Sequence, residues 1–151
     1  MKFRGHKVLV IGDTHDHPNL NKDRFLWIGK HIRNLKPDYV VHIGDVSSFD
    51  SLSSFQANDT QQGKLKDAFM VDINSMRQAL SLINKGMGSY QVPKHCTLGN
   101  HEFRVHKFEE RIPEIEGIMK HQLYESFSMH GWTTSEYGDI FFISGVGFTH
   151  V

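Results

Sequence analysis

The chain has 151 residues, 38% hydrophobic and 23% charged, with 17 basic side chains balancing 17 acidic ones. That length suits one domain, and a net charge of zero excludes the bulk positive field of a protein held to nucleic acid by phosphate contacts alone. No run reaches the roughly 18–20 apolar residues of a membrane span. The start, Met-Lys-Phe-Arg-Gly-His, leaves no room for a secretory signal before the first strand pattern. The single cysteine, Cys96, excludes an internal disulfide and fits a reducing compartment, so a cytoplasmic location is expected.

Residues 8–11 (Val-Leu-Val-Ile) read as a buried strand, followed by Gly12-Asp13-Thr14-His15. Phe25, Ile28, Ile32 and Leu35 then recur at helical spacing, with Asn21 as N-cap and Pro37 as the stop. Residues 39–43 form the next strand and end on Gly44-Asp45, which implies a right-handed crossover onto a parallel sheet. Residues 47–63, rich in Ser, Asn, Asp, Gln and Gly, read as one long loop, of the kind that is often functional. Leu65, Phe69, Ile73, Met76, Leu80 and Ile83 mark a second helix, with Met70 and Met76 as core packing and Gly86 and Gly88 as its terminators. The run at 96–98 reads as a third strand, which makes Cys96 a buried structural thiol and leads into Gly99-Asn100-His101-Glu102. Residues 103–122 are charged and weakly periodic and read as one or two irregular helices. A Tyr-Gly-Asp turn at 137–139 precedes a strand at 140–143, and residues 145–150 form the next one.

Three sequence-distant turns thus follow three strands. In an open α/β sheet the carboxyl ends of the strands line one crevice, which brings Asp13, His15, Asp45, Asn100 and His101 to one rim. Oxygen and imidazole donors of this kind suit divalent ions. Asp13 and His15 can ligate one ion from a tight turn, Asp45 can bridge two through its two oxygens, and the Asn100 carbonyl with a further histidine can complete a second shell. Two ions about 3.5–4 Å apart clamp a phosphoryl group and activate a water. His101, next to the Asn ligand, is better placed as a general acid or transition-state donor than as a ligand.

The order Gly-Asp-Thr-His, Gly-Asp, Gly-Asn-His-Glu resembles the calcineurin-like metallophosphoesterase superfamily, over essentially the whole chain. The stretch Val41-His42-Ile43-Gly44-Asp45, followed by Phe49-Asp50-Ser51-Leu52-Ser53-Ser54, is also similar to phosphoesterases of phages and prophages. The resemblance implies a layered α/β/β/α fold, α/β in class, carrying a dinuclear centre. It makes Asp13 and His15 ligands of the first metal, Asp45 the bridge, Asn100 and His150 ligands of the second, and His101 the catalytic histidine. The expected cofactors are two divalent ions, Mn, Fe, Zn or Ni. The expected substrate is a phosphomono- or phosphodiester, nucleotides and nucleic acid included, attacked by a hydroxide that the metal pair activates.

The family pattern also ends with a Gly-His-x-His segment, and no such segment occurs in residues 1–151. The chain therefore reads as the N-terminal portion of a single metallophosphoesterase domain, with an incomplete second sheet, weak metal occupancy, and an exposed edge strand inviting self-association. An inactive module of the same fold, acting as a scaffold, is the alternative. A Rossmann-like nucleotide binder is disfavoured, because no Gly-x-Gly-x-x-Gly follows the first strand. Arg104 is a candidate for the substrate phosphate. Asp16 and His17 read as a solvated loop, His42 as a satisfied core residue, Glu102 as support for the motif helix, and Trp132 as packing; His95 and His130 carry no spacing signal.

Overall fold

Alternating strand and helix signals produce β1 (Val8–Ile11), α1 (Asp23–Leu35), β2 (Tyr39–His42), α2 (Asp50–Ser53), α3 (Gln62–Met87), β3 (Lys94–Thr97), α4 (Asn100–Glu109), a 3₁₀ turn (Pro113–Ile115), α5 (Ile118–Ser128), β4 (Trp132–Ser135), β5 (Phe141–Ile143) and β6 (Val146–Phe148). A computed structural model describes residues 5–53 and 62–151, with 53 and 62–67 by their backbone only. Part of the expected loop (54–61), Leu65 as a core position, and the first residues of the chain lie outside what is described.

The first four strands form one parallel sheet in the order β1-β2-β3-β4. Parallel pairing demands crossovers, and α1, α3 and α5 supply them. The pairing sets rows across the sheet. Leu9, Val40, Lys94 and Trp132 share one row, and Ile11, His42, Cys96 and Thr134 share another. These rows lie on the same face, because side chains alternate along a strand. Against that face α1 and α3 bury Phe25, Ile32, Ile73, Met76, Leu80 and Ile83.

The intervening row, Val10, Val41, His95 and Thr133, lies on the opposite face. There the β5-β6 hairpin forms the second sheet, turning at Ser144-Gly145, both at positive φ. Phe141 of the hairpin stacks on His95 with ring centroids 3.6 Å apart. The cover reaches only the middle strands: Val41 is fully buried while Val10, on edge strand β1, is 45% exposed. Strand β1 is thus half-buried rather than buried on both faces.

The crossing of α1 on α3 is backbone to backbone. A Cβ on Gly29 would sit 2.1 Å from the Ile83 carbonyl oxygen, and one on Gly86 would sit 2.4 Å from that of Leu26. Gly86 therefore belongs to the helix as a contact residue and does not end it. Gly88, at φ 61°, ends it, donating its N–H to Asn84 and Lys85. At the start of α1, Asn21 accepts the Asp23 N–H through its side chain at 2.7 Å, one residue ahead of the backbone cap at Lys22. The expected loop after Ser47 is interrupted by α2, which places Leu52 and the preceding Phe49 in the core.

Candidate metal centre

The carboxyl ends of β2 and β3 are close enough that only glycine fits between them. A Cβ on Gly44 would lie 2.6 Å from both Gly99 N and Thr97 O, and one on Gly99 would lie 2.1 Å from Asp45 Oδ1. The turns after β1 and β2 are also zipped together. Thr14 and His15 both donate their N–H to Asp45 O, and Asp16 donates to Val46 O at 2.7 Å. Within this frame His15 (φ 43°) and Asp45 (φ 53°) take left-handed backbone. That conformation is costly for most side chains and tolerable for Asp and His.

Two buried side chains lock the frame. Glu102 is fully buried and accepts four backbone N–H groups, from Asp45, Val46, Ser47 and Gly99, at 2.8–3.2 Å. Burial pushes its carboxyl upward, and the N–H donors from Gly99, Ser47 and Asp45 oppose that shift. His42 is the second. Gly44 N–H donates to His42 Nδ1 at 3.2 Å, and Thr14 Oγ1 donates onward to Val46 O, which leaves His42 Nε2–H to donate to Thr14 Oγ1 at 3.0 Å. Only a neutral imidazole satisfies this chain. Burial first, then repulsion from His150 and His15, holds the His42 pKa at about 3.

The framed loops bring all six expected residues together. Asp45, buried, is the shared element: its Oδ1 accepts His101 N–H at 2.9 Å, and its Oδ2 lies 3.5, 3.8 and 3.9 Å from the Nε2 atoms of His150, His15 and His101. Asp13 reaches the same space, with Oδ2 3.7 Å from His15 Nε2 and Oδ1 3.9 Å from His150 Nδ1. Asn100 Oδ1 is 2.9 Å from His150 Nε2. By distance the candidate ligands form two groups, His15-Asp45-His101 and Asp13-Asp45-His150, both containing Asp45.

The donor set fits a cation. Ile43 O can only accept, so His150 Nδ1, 2.7 Å away, must carry the hydrogen. A neutral His150 then turns the Nε2 lone pair toward Asn100 Oδ1 and Asp45 Oδ2. Lone-pair donors gathered in this way around one point are the arrangement that a bound cation satisfies. His101 is oriented the same way, Nδ1–H donating to Ser48 O at 2.6 Å. A backbone carbonyl behind the imidazole, as Ile43 O lies behind His150, is the usual support for a metal-binding histidine.

Other candidates settle differently. The Arg104 guanidinium donates to Ser48 O at 2.9 Å and lies 3.9 Å from Asp50. Asp16 is not solvated: it is fully buried, paired with Lys22 Nζ and accepting the Ser75 hydroxyl, both at 2.6 Å. His17 sits 3.5 Å from an Asp50 carboxylate oxygen. Cys96 is buried, and burial raises its thiol well above the ordinary range, as suits an inert residue. The sequence presents Tyr137 only as the start of a Tyr-Gly-Asp turn, yet its ring centroid is 6.1 Å from that of His150. Its place two residues after β4 is the one signal for it, and Trp-Thr-Thr-Ser carries no clear strand pattern.

Oxygen and imidazole donors around one shared carboxylate, at the carboxyl edge of a parallel sheet, define an α/β protein with a candidate divalent-metal centre. The chain belongs to the calcineurin-like phosphoesterase family, whose sequence profile matches residues 6–150. In general terms it is therefore a metal-dependent phosphoesterase. No curated protein matches it. Among the described residues no helix is long and apolar enough to cross a membrane.

Proposed function

We propose that the chain hydrolyses phosphomono- or phosphodiesters, nucleotides and nucleic acid among them, with a pair of divalent ions that share Asp45. The observation that carries this reading is the convergence of three imidazole Nε2 atoms on Asp45 Oδ2 within 3.9 Å. Following the family resemblance rather than the two distance groups, Asp13, His15 and Asp45 would hold one ion, and Asp45, Asn100 and His150 the other. Mn²⁺, Fe²⁺, Zn²⁺ and Ni²⁺ all accept such donors. When bound, the pair supplies Lewis-acid polarisation of the phosphoryl group and a nucleophile at neutral pH.

The remaining work falls to the chain's own groups. His101, its Nδ1–H held on Ser48 O, would present a protonated Nε2 beside Asp45, give that proton to the leaving oxygen and be left as the neutral imidazole. Arg104, anchored on the same Ser48 carbonyl, is the guanidinium assigned to the substrate phosphate.

Hydrolysis of p-nitrophenyl phosphate and bis-p-nitrophenyl phosphate with added Mn²⁺ tests the proposal. Turnover is expected in the wild type and absent in Asp45→Ala. In His101→Gln, kcat should fall about 10²- to 10⁴-fold, the range for losing a general acid, with Mn²⁺ affinity unchanged. Loss of Mn²⁺ affinity in that variant would make His101 a ligand instead. A wild type that binds Mn²⁺ without turnover would support the scaffold reading.

A further inference from the structure

Beside the centre runs a line of aromatic rings that the proposed chemistry does not use. Tyr137 lies 6.1 Å from His150 and 5.3 Å from Phe103, centroid to centroid. Phe103 in turn stacks on His106 at 5.5 Å, and Lys107 Nζ lies 5.4 Å from the Phe103 ring centroid. Phe103 is thus engaged by two partners besides Tyr137, while Tyr137, 36% exposed, is the member of the row that meets solvent next to the metal ligands.

The residue before Tyr137 is pinned. Glu136 accepts the Tyr124 hydroxyl and lies 3.1 Å from His106 Nε2, which itself is 2.8 Å from the Tyr124 oxygen. Burial is the main cause that raises the Tyr124 hydroxyl pKa, so it stays a donor to Glu136. Two helices, α4 through His106 and α5 through Tyr124, therefore hold the segment that presents Tyr137. A planar side chain fixed before a ligand arrives loses little entropy on stacking.

We propose that Tyr137, backed by Phe103, is a specificity wall that stacks a planar aromatic group carried by the phosphoester, a nucleobase or an aryl group. The proposal rests on the metal-dependent phosphoesterase reading and narrows its substrate class. Aromatic side chains stack on any base or aryl face, so an aromatic ester should bind about tenfold more tightly than an aliphatic one, about 1.4 kcal/mol.

The test is equilibrium binding of phosphonates, which cannot be hydrolysed, to the Mn²⁺-loaded and metal-free chain by calorimetry. Benzylphosphonate should bind about tenfold more tightly than ethylphosphonate in the wild type, and the ratio should fall toward one in Tyr137→Ala. Tyr137→Phe should keep the ratio. The phosphonate analogue of adenosine 5′-phosphate, set against that of ribose 5-phosphate, tells whether a nucleobase gains more than a phenyl ring. A wild-type ratio near one, a ratio unchanged in Tyr137→Ala, or no binding of either phosphonate would overturn the wall. A ratio that is present and Tyr137-dependent, with affinities indifferent to Mn²⁺, would keep the wall and strike at the metal-centre reading instead.

Discussion

His42 shows how tightly single residues are committed in this frame. Its ring accepts from Gly44 and donates to Thr14, so an imidazolium would turn an accepted N–H into a clash of donors. The folded-state pKa of about 3 lies below the ordinary 6.5. The unfolded chain therefore takes up a proton first as pH falls. The stabilisation is complete above about pH 6.5 and is lost progressively toward pH 3. In that window this one group contributes a slope of up to about 1.4 kcal/mol per pH unit. We expect thermal unfolding midpoints of the wild type to fall more steeply between pH 6.5 and 4 than those of His42→Gln. Parallel curves for the two would contradict the neutral-imidazole chain. At this scale much of the candidate site was legible. Asp13, His15, Asp45, Asn100 and His101 stand in short turns after β-branched or apolar runs, and the structure brings them together. His150 could be singled out only through the family resemblance, since a histidine near a short strand carries no spacing of its own. Asp16 was misjudged because nothing local shows that Lys22 and, 59 residues on, Ser75 fold over it.

At the scale of elements, the glycines carry geometry that a pattern of apolar residues does not. Gly86 looks like a helix stop by position, yet it is the place where α3 meets Gly29 of α1. A methyl group there must push two backbones apart. Gly86→Ala should cost about 1–3 kcal/mol, the range for overpacking a core, with metal affinity kept. Urea unfolding measures the first and Mn²⁺ titration the second. An unchanged midpoint would show that the crossing is looser than the contacts imply. The strands show where periodicity fails. β1 and β2 were read from their β-branched runs. β3 begins two residues earlier than its apolar run because Lys94 and His95 are buried, His95 under Phe141. β4 is Trp-Thr-Thr-Ser, four residues with one large apolar side chain. Only the pairing of Trp132 with Lys94 and its neighbours makes it a strand.

For the molecule as a whole, the sheet, the helical layer and the hairpin serve one placement: the β2 and β3 loop ends held by a buried Glu102, the β1 turn zipped onto the β2 loop, and His150 brought over them just beyond the hairpin. The fold assembles these donors at 3.5–3.9 Å from one another. In the proposed centre Asp45 joins two ions. Electron paramagnetic resonance of the chain titrated with Mn²⁺ reads this directly, because two ions sharing a carboxylate are spin-coupled. Two Mn²⁺ per chain with a coupled signal are expected, replaced in Asp45→Asn by weaker, uncoupled binding. A single uncoupled Mn²⁺ in the wild type, or a coupled pair that survives Asp45→Asn, would contradict it.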